Sequence, residues 1–257
     1  MKTKTKKINK VAMKLIIIIL LVMVEATAYG QYTLSGKIEY EKKVNSHARM
    51  KDYGDDNNSW YERMKSQVPK FSITYFDLVF DRSRSIYKPG REVPVPTKNF
   101  GSDPASDNIV YTDLVGRKVT AVKQIFEEKF LVEDTMRIIE WRLKDEVRTI
   151  ANIKCRKAVG VICDSVYVVA FYATDILADS GPEMFGGLPG MILEIAIPRL
   201  HTTWVATKVE MIATKDEDYV IKTKGKKVTN KQMYDAVMGG LKDWGKWGTK
   251  YVWLSVL

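Results

Sequence analysis

The chain has 257 residues and a formal net charge of +10, from 41 Lys and Arg against 31 Asp and Glu. Six of the lysines lie in the first thirty residues beside a single acid, Glu25, so the rest of the chain carries only about +5. Its basic residues are interleaved with carboxylates throughout, which argues against a nucleic-acid partner, and 46% hydrophobic content excludes a disordered chain.

In chain order, a lysine-rich start, the apolar run Leu15 to Val24 and the small residues Ala26-Thr27-Ala28-Tyr29-Gly30 predict a secretory signal peptide over 1–30, cleaved after Ala28 or Gly30. The apolar run is ten residues long, about half of what a membrane span requires. The expected mature protein is a single domain over 31–257, soluble or peripherally attached, in the periplasm or at the cell surface.

Alternation of apolar and polar residues, rich in β-branched and aromatic types, predicts strands over 32–43, 71–80, 84–88, 108–114, 118–132, 136–143, 148–161, 166–173, 190–197 and 202–213. The 166–172 segment, VYVVAFY, is apolar on both faces and reads as central. Helices are predicted over 59–67, capped by Asn58 or Ser59, and over 230–243, opened by a Thr229/Gln232 capping box. In the second helix Met233, Val237 and Leu241, with Tyr234 and Met238, form one apolar stripe. Segments 90–107 and 175–190 read as linkers. The expected fold is mainly β with α (α+β), a curved antiparallel meander or half-barrel of roughly ten strands with two helices. The tail 250–257 has two readings, one more strand of the sheet or an attachment element. Trp244, Trp247 and Trp253 are the ground for the second reading, because tryptophan suits wet-dry boundaries at an outer-membrane partner or the lipid interface, while a strand apolar on both faces under a helix accounts for the same residues.

Residues able to carry chemistry are few. His47 and His201 are the two histidines, and no metal-ligand spacing, nucleophile elbow or phosphate-cradling loop occurs, so no metal and no cofactor is expected. The acids Asp175, Asp179 and Glu183 share one loop, which suits either turn initiation or a cation or acid/base site. Cys155 and Cys163 fall on a hairpin turning at Asp164-Ser165, with Cys155 opposite a residue near Ala173. Unless the strand bulges, their separation exceeds the roughly 7 Å that a disulfide tolerates.

The most specific stretch is Gly181-Pro182-Glu183-Met184-Phe185-Gly186-Gly187-Leu188-Pro189-Gly190, followed by an apolar strand with Met191, Leu193, Ile195 and Ile197 on one face. Pro189 and Gly190 suit the central positions of a type II turn, and Gly186 and Gly187 permit close backbone approach. On these residues, together with Gly36-Lys37-Ile38-Glu39-Tyr40, Trp141-Arg142-Leu143, Ile153 to Ala158 and Tyr172 to Ile176, the chain resembles the GLPGLI family of envelope proteins. Met191 stands at the family's leucine, and Glu183-Met184 where a tryptophan-containing pair is common. The resemblance implies an exported protein without an agreed activity, associated with TonB-dependent outer-membrane transport. It implies a partner class, an outer-membrane transporter or another envelope protein, and no catalytic residues. Three readings follow: an accessory protein that binds a partner or ligand; a periplasmic hydrolase or peptidase using the loop acids or His201; and a structural subunit, which would have no apolar cavity between sheet and helix.

Overall fold

The computed structural model describes residues 34–52, 59–93, 104 and 106–257, all within one compact unit, Thr33–Leu257. The predicted signal peptide at 1–30 and most of the 90–107 linker lie outside the described residues.

Twelve strands form one sheet: β1 (Gly36–Asn45), β2 (Phe71–Phe80), β3 (Arg84–Pro89), β4 (Ile109–Asp113), β5 (Lys118–Ile125), β6 (Glu128–Thr135), β7 (Arg142–Ile150), β8 (Ile153–Ile162), β9 (Val166–Ala173), β10 (Met191–Ile197), β11 (Thr202–Glu210) and β12 (Lys226–Val228). Their order is β12-β6-β5-β4-β3-β2-β1-β11-β10-β9-β8-β7, antiparallel except for β12 beside β6. Two meanders thus join through the β1–β11 pair. The chain passes from β6, near one edge, to β7, at the other edge, through residues 136–141 alone. That link reaches about 25 Å at full extension, whereas the ten interstrand spacings it bridges would measure nearly 50 Å if laid flat, so about half the width must be lost to curvature. The sheet is therefore strongly curled but open, and the fold is α+β, mostly β.

Four helices accompany it: α1 (Ser46–Lys51), α2 (Ser59–Lys65), α3 (Asn230–Gly240) and α4 (Gly245–Ser255). The predicted capping box opens α3, with Gln232 N donating to Thr229 Oγ1 at 3.2 Å and Thr229 N to Gln232 Oε1 at 2.9 Å. The predicted stripe is the buried face, with Met233, Val237 and Leu241 in the main core and Tyr234 and Met238 packed against it.

Several predicted boundaries moved, each because of local backbone chemistry. The 118–132 run is a hairpin, β5–β6, turning at Phe126 with φ +53°. The 148–161 run folds back at Ala151-Asn152, with φ +47° and +65°, the paired left-handed residues that suit the twist of a two-residue hairpin. The β8–β9 turn has the same signature at Cys163-Asp164, one residue before the expected position. Residues 136–141 are not a strand, because this stretch spans the gap between the sheet edges, with Met136 and Ile139 buried and Trp141 packed on the core. The tail read as a strand is helical, and α1 and β12 had no counterpart in the sequence reading.

The proline-glycine turn before β10 is built more tightly than a type II turn: Gly190 N bonds to Leu188 O at 2.8 Å. Gly190 has φ +139°, and a Cβ there would lie 2.1 Å from the Ala173 carbonyl oxygen. Gly190→Val should therefore destabilise the protein by about 3 kcal/mol or more, read as a lowered urea midpoint. A variant that unfolds like the parent would show that the turn is not architectural.

Candidate functional site

The loop 174–190 is held down along its length. Asp179 accepts from Arg117 Nη1 at 2.6 Å and from Gly187 N, Trp141 Nε1 donates to Gly186 O at 2.9 Å, and Ser180 Oγ meets Ser85 Oγ at 2.7 Å. Gly186 lies close against Met136 and Asp179, whereas Gly187 is exposed and is needed instead for its φ of +84°. Gly181 is packed against Ile192, while Pro182 and Leu188 are buried and Pro189 is exposed. The three acids of this loop do not share a site. Asp175 is exposed, Asp179 is tied to Arg117, and Glu183 is buried at 2% exposure. Among the described residues no group of three or more His, Cys, Asp and Glu is placed to hold a metal ion.

Glu183 is the unusual member. It occupies the left-handed region at φ +55°, a strained conformation for a non-glycine residue, and points its carboxylate into the curl of the sheet. Asn108 Nδ2 donates to its Oε2 at 2.7 Å and the Tyr87 hydroxyl to its Oε1 at 3.3 Å. Trp204 Nε1 in turn donates to the Tyr87 hydroxyl at 3.1 Å. Burial, reinforced by the Glu183 charge, holds the Tyr87 phenol well above its ordinary range, so it acts as a neutral donor. Tyr87 also stacks on Phe76 at 4.8 Å. Two lysines share this interior: Lys42 lies over the Trp204 and Phe76 rings at 5.3 and 5.9 Å, and Lys123 is fully buried. Burial lowers the Lys123 amine to about 7, with Glu183 opposing the shift and Arg137 and Lys42 adding to it.

The sequence reading did not single out these lysines, Asn108, Tyr87 or Trp204, yet a signal for the lysines was present. Lys42 falls in the Ile38, Tyr40, Val44 register and Lys123 in the Val119, Ala121, Ile125 register, each a cation on an otherwise apolar strand face. Lysine so placed needs partners in the interior.

The histidines lie elsewhere and have other roles. His47 Nε2 meets Val68 O at 2.8 Å, and His201, a left-handed residue at φ +50°, meets Asp52 Oδ2 at 2.7 Å, beside Lys250 on the same carboxylate. The arrangement that a hydrolase would draw from His201 and the loop acids is not assembled by these contacts. Cys155 and Cys163 are free thiols, and burial pushes the Cys155 thiol up to about 12.

The aromatic tail divides. Trp253 is buried under Arg199, whose guanidinium lies 4.7 Å from the ring, with Val252, Leu254, Val256 and Leu257 also in the core. Trp244 and Trp247 stay exposed at 49% and 39%. The end of α4 is seated by cations from the sheet side: Lys123 Nζ donates to the main-chain oxygens of Ser255 and Leu257, and Arg137 to that of Val256. Cations at a helix C-terminus satisfy carbonyls that the helix itself leaves unpaired.

A groove of about 680 Å³ opens where the β5–β6 turn meets the end of α3, lined by Ile125, Phe126, Phe130, Val237, Leu241 and Trp244 among others. Phe126 and Trp244, both in its lining, meet edge to face at 5.8 Å. At Gly240 a Cβ would meet nothing within 4 Å, so the helix end leaves that space open.

Residues 160–194 match the model of a family described as "Protein of unknown function (Porph_ging)", a span that contains the Glu183 loop and the proline-glycine turn. No curated protein matches. Similar solved structures include PNGF-II in space group P21, at 14% identity and TM-score 0.50, covering 76% of this chain and 32% of that one. The C2 crystal form of PNGF-II aligns at 13% identity and TM-score 0.50, covering 86% and 33%. An uncharacterized conserved protein from Thermus thermophilus aligns at 6% identity and TM-score 0.38, covering 83% and 98%. The chain thus spans about a third of the length of the PNGF-II chains, and the likeness is one of fold.

Deleting 249–257 removes buried apolar side chains together with the acceptors of Lys123 and Arg137. The truncated protein should lose its cooperative unfolding transition by circular dichroism. A folded truncation that merely leaves the membrane fraction would make the tail an anchor instead.

Proposed function

We propose that this chain is an exported envelope accessory protein that binds an apolar ligand in the groove between the β5–β6 turn and α3, in association with a TonB-dependent outer-membrane transporter. The groove carries the reading. A structural subunit has no need of an apolar opening between sheet and helix, and about 680 Å³ lies within the range of small-molecule sites. Phe126 and Trp244 are large apolar residues left half in water at its mouth, an arrangement that a bound apolar group would cover. Export and the transporter association rest on the lysine-rich leader with its apolar run and on the GLPGLI-like motifs, several of which lie inside the matched 160–194 span.

The ligand site is tested with the fluorescent apolar probe anilinonaphthalene sulfonate. Wild-type protein should enhance its emission. Gly240→Leu, which fills open space without a positive φ to accommodate, should reduce that enhancement several-fold with an unchanged melting curve. Equal emission from both proteins overturns the assignment. Amino-terminal sequencing of protein recovered from its native envelope should begin between residues 29 and 31, and a chain beginning at Met1 contradicts export.

A further inference from the structure

The interior around Glu183 holds an amine, a carboxamide and a carboxylate that the ligand groove does not use. In the β4–β5 ladder Ile109 faces Val122, so the next position outward sets Asn108 opposite Lys123. Both side chains lie on the core face, in line with Val110 and Ala121, and both are fully buried. Directly opposed residues have Cβ atoms about 5 Å apart, a gap that a four-carbon lysine stem covers. Glu183 is bonded to the Asn108 amide nitrogen at 2.7 Å, while Asn108 Oδ1 is buried with no hydrogen-bond partner. An unpartnered carbonyl in a dry interior is costly, and here it belongs to a carboxamide that is bonded to a carboxylate and stands opposite a lysine in the ladder. The Lys123 nitrogen meets two main-chain acceptors, Ser255 O and Leu257 O. A neutral amine uses its two N–H groups on such a pair and keeps its lone pair free.

We propose that Lys123 and Asn108 become joined by an intramolecular isopeptide bond, with Glu183 as the proton-transfer group. The Lys123 Nζ lone pair attacks Asn108 Cγ, forming a C–N bond and placing the developing negative charge on Oδ1. Glu183 takes a proton from Nζ and delivers it to Nδ2, the Cγ–Nδ2 bond breaks, and ammonia leaves. Glu183 returns to its starting state, and nothing is oxidised or reduced. The lowered amine pKa keeps a nucleophilic fraction present near neutral pH. The product ties the residue that leads into β4 covalently to β5, in a chain whose two cysteines are unpaired.

Intact-mass spectrometry of the folded mature protein is the test. The expected mass lies about 17 Da below that of the sequence, one ammonia, and a proteolytic map should contain the Lys123 peptide linked to the Asn108 peptide. Asn108→Asp should still link, now with loss of about 18 Da as water, whereas Asn108→Ala and Glu183→Gln should keep their full mass. The wild-type result decides the matter even if a variant fails to fold. Full mass in the folded wild-type protein overturns the proposal. So does an ammonia loss that maps to cyclised Gln31 at a new amino terminus, or a link from Lys42 in place of Lys123.

Discussion

The short connection between β6 and β7 governs the rest of the molecule. It joins strands that stand ten positions apart in the sheet, through residues 136–141. A flat or gently twisted sheet cannot satisfy that length, so the two meanders curl toward each other and enclose one face. The link itself is apolar where it crosses, with Met136 and Ile139 buried and Trp141 hydrogen-bonded to the carbonyl of Gly186. One connection therefore sets the curvature and also supplies an anchor for the loop that fills the enclosed space.

That enclosure explains why a carboxylate and two lysines can lie away from water. Isolated burial of any of them would cost several kcal/mol, and the attraction between opposite charges offsets this only when the remaining polar atoms are also paired. Glu183 has Asn108 and Tyr87, Tyr87 has Trp204, and Lys123 has the end of α4, while Asn108 Oδ1 is left unpaired. The network spans β3, the residue before β4, β5, β11, the Glu183 loop and the tail, so it links elements far apart in sequence. Hydrophobic contact alone would hold these elements together with less directional preference. The left-handed backbone at Glu183 is the local strain accepted to aim that side chain inward.

The carboxy-terminal helices close the remaining side. α3 lays its Met233, Val237, Leu241 stripe on the core, and α4 buries Val252 and Leu254 while its end is capped by Lys123 and Arg137. Phe126, at the tip of the β5–β6 hairpin, stacks on Tyr251 at 4.6 Å and meets Trp244 edge to face at 5.8 Å. The same aromatic contact that seats the tail thus forms one wall of the groove, and structural and binding roles meet in one residue. At the far edge, β7 is exposed along nearly its whole length and its charged sequence, with an irregular stretch between Leu143 and Val147, makes it a poor template for pairing with another chain.

The mainly β character, the positions of most strands, the α3 capping box and the need for glycine at Gly190 were legible in the sequence, because each depends on periodicity or local backbone preference within a few residues. Boundaries failed where a hairpin turns on two left-handed non-glycine residues, as at Ala151-Asn152, since no glycine marks the turn. The tail failed because Trp253, Leu254, Val256 and Leu257 are apolar on every side, a pattern shared by a buried strand and a buried helix. Glu183 could be named from sequence but not distinguished from Asp175 and Asp179. Only the tertiary structure decided that one of three loop acids turns inward. Burial and pairing are properties of the enclosed space, and that space exists only once strands from both ends of the chain have curled around it.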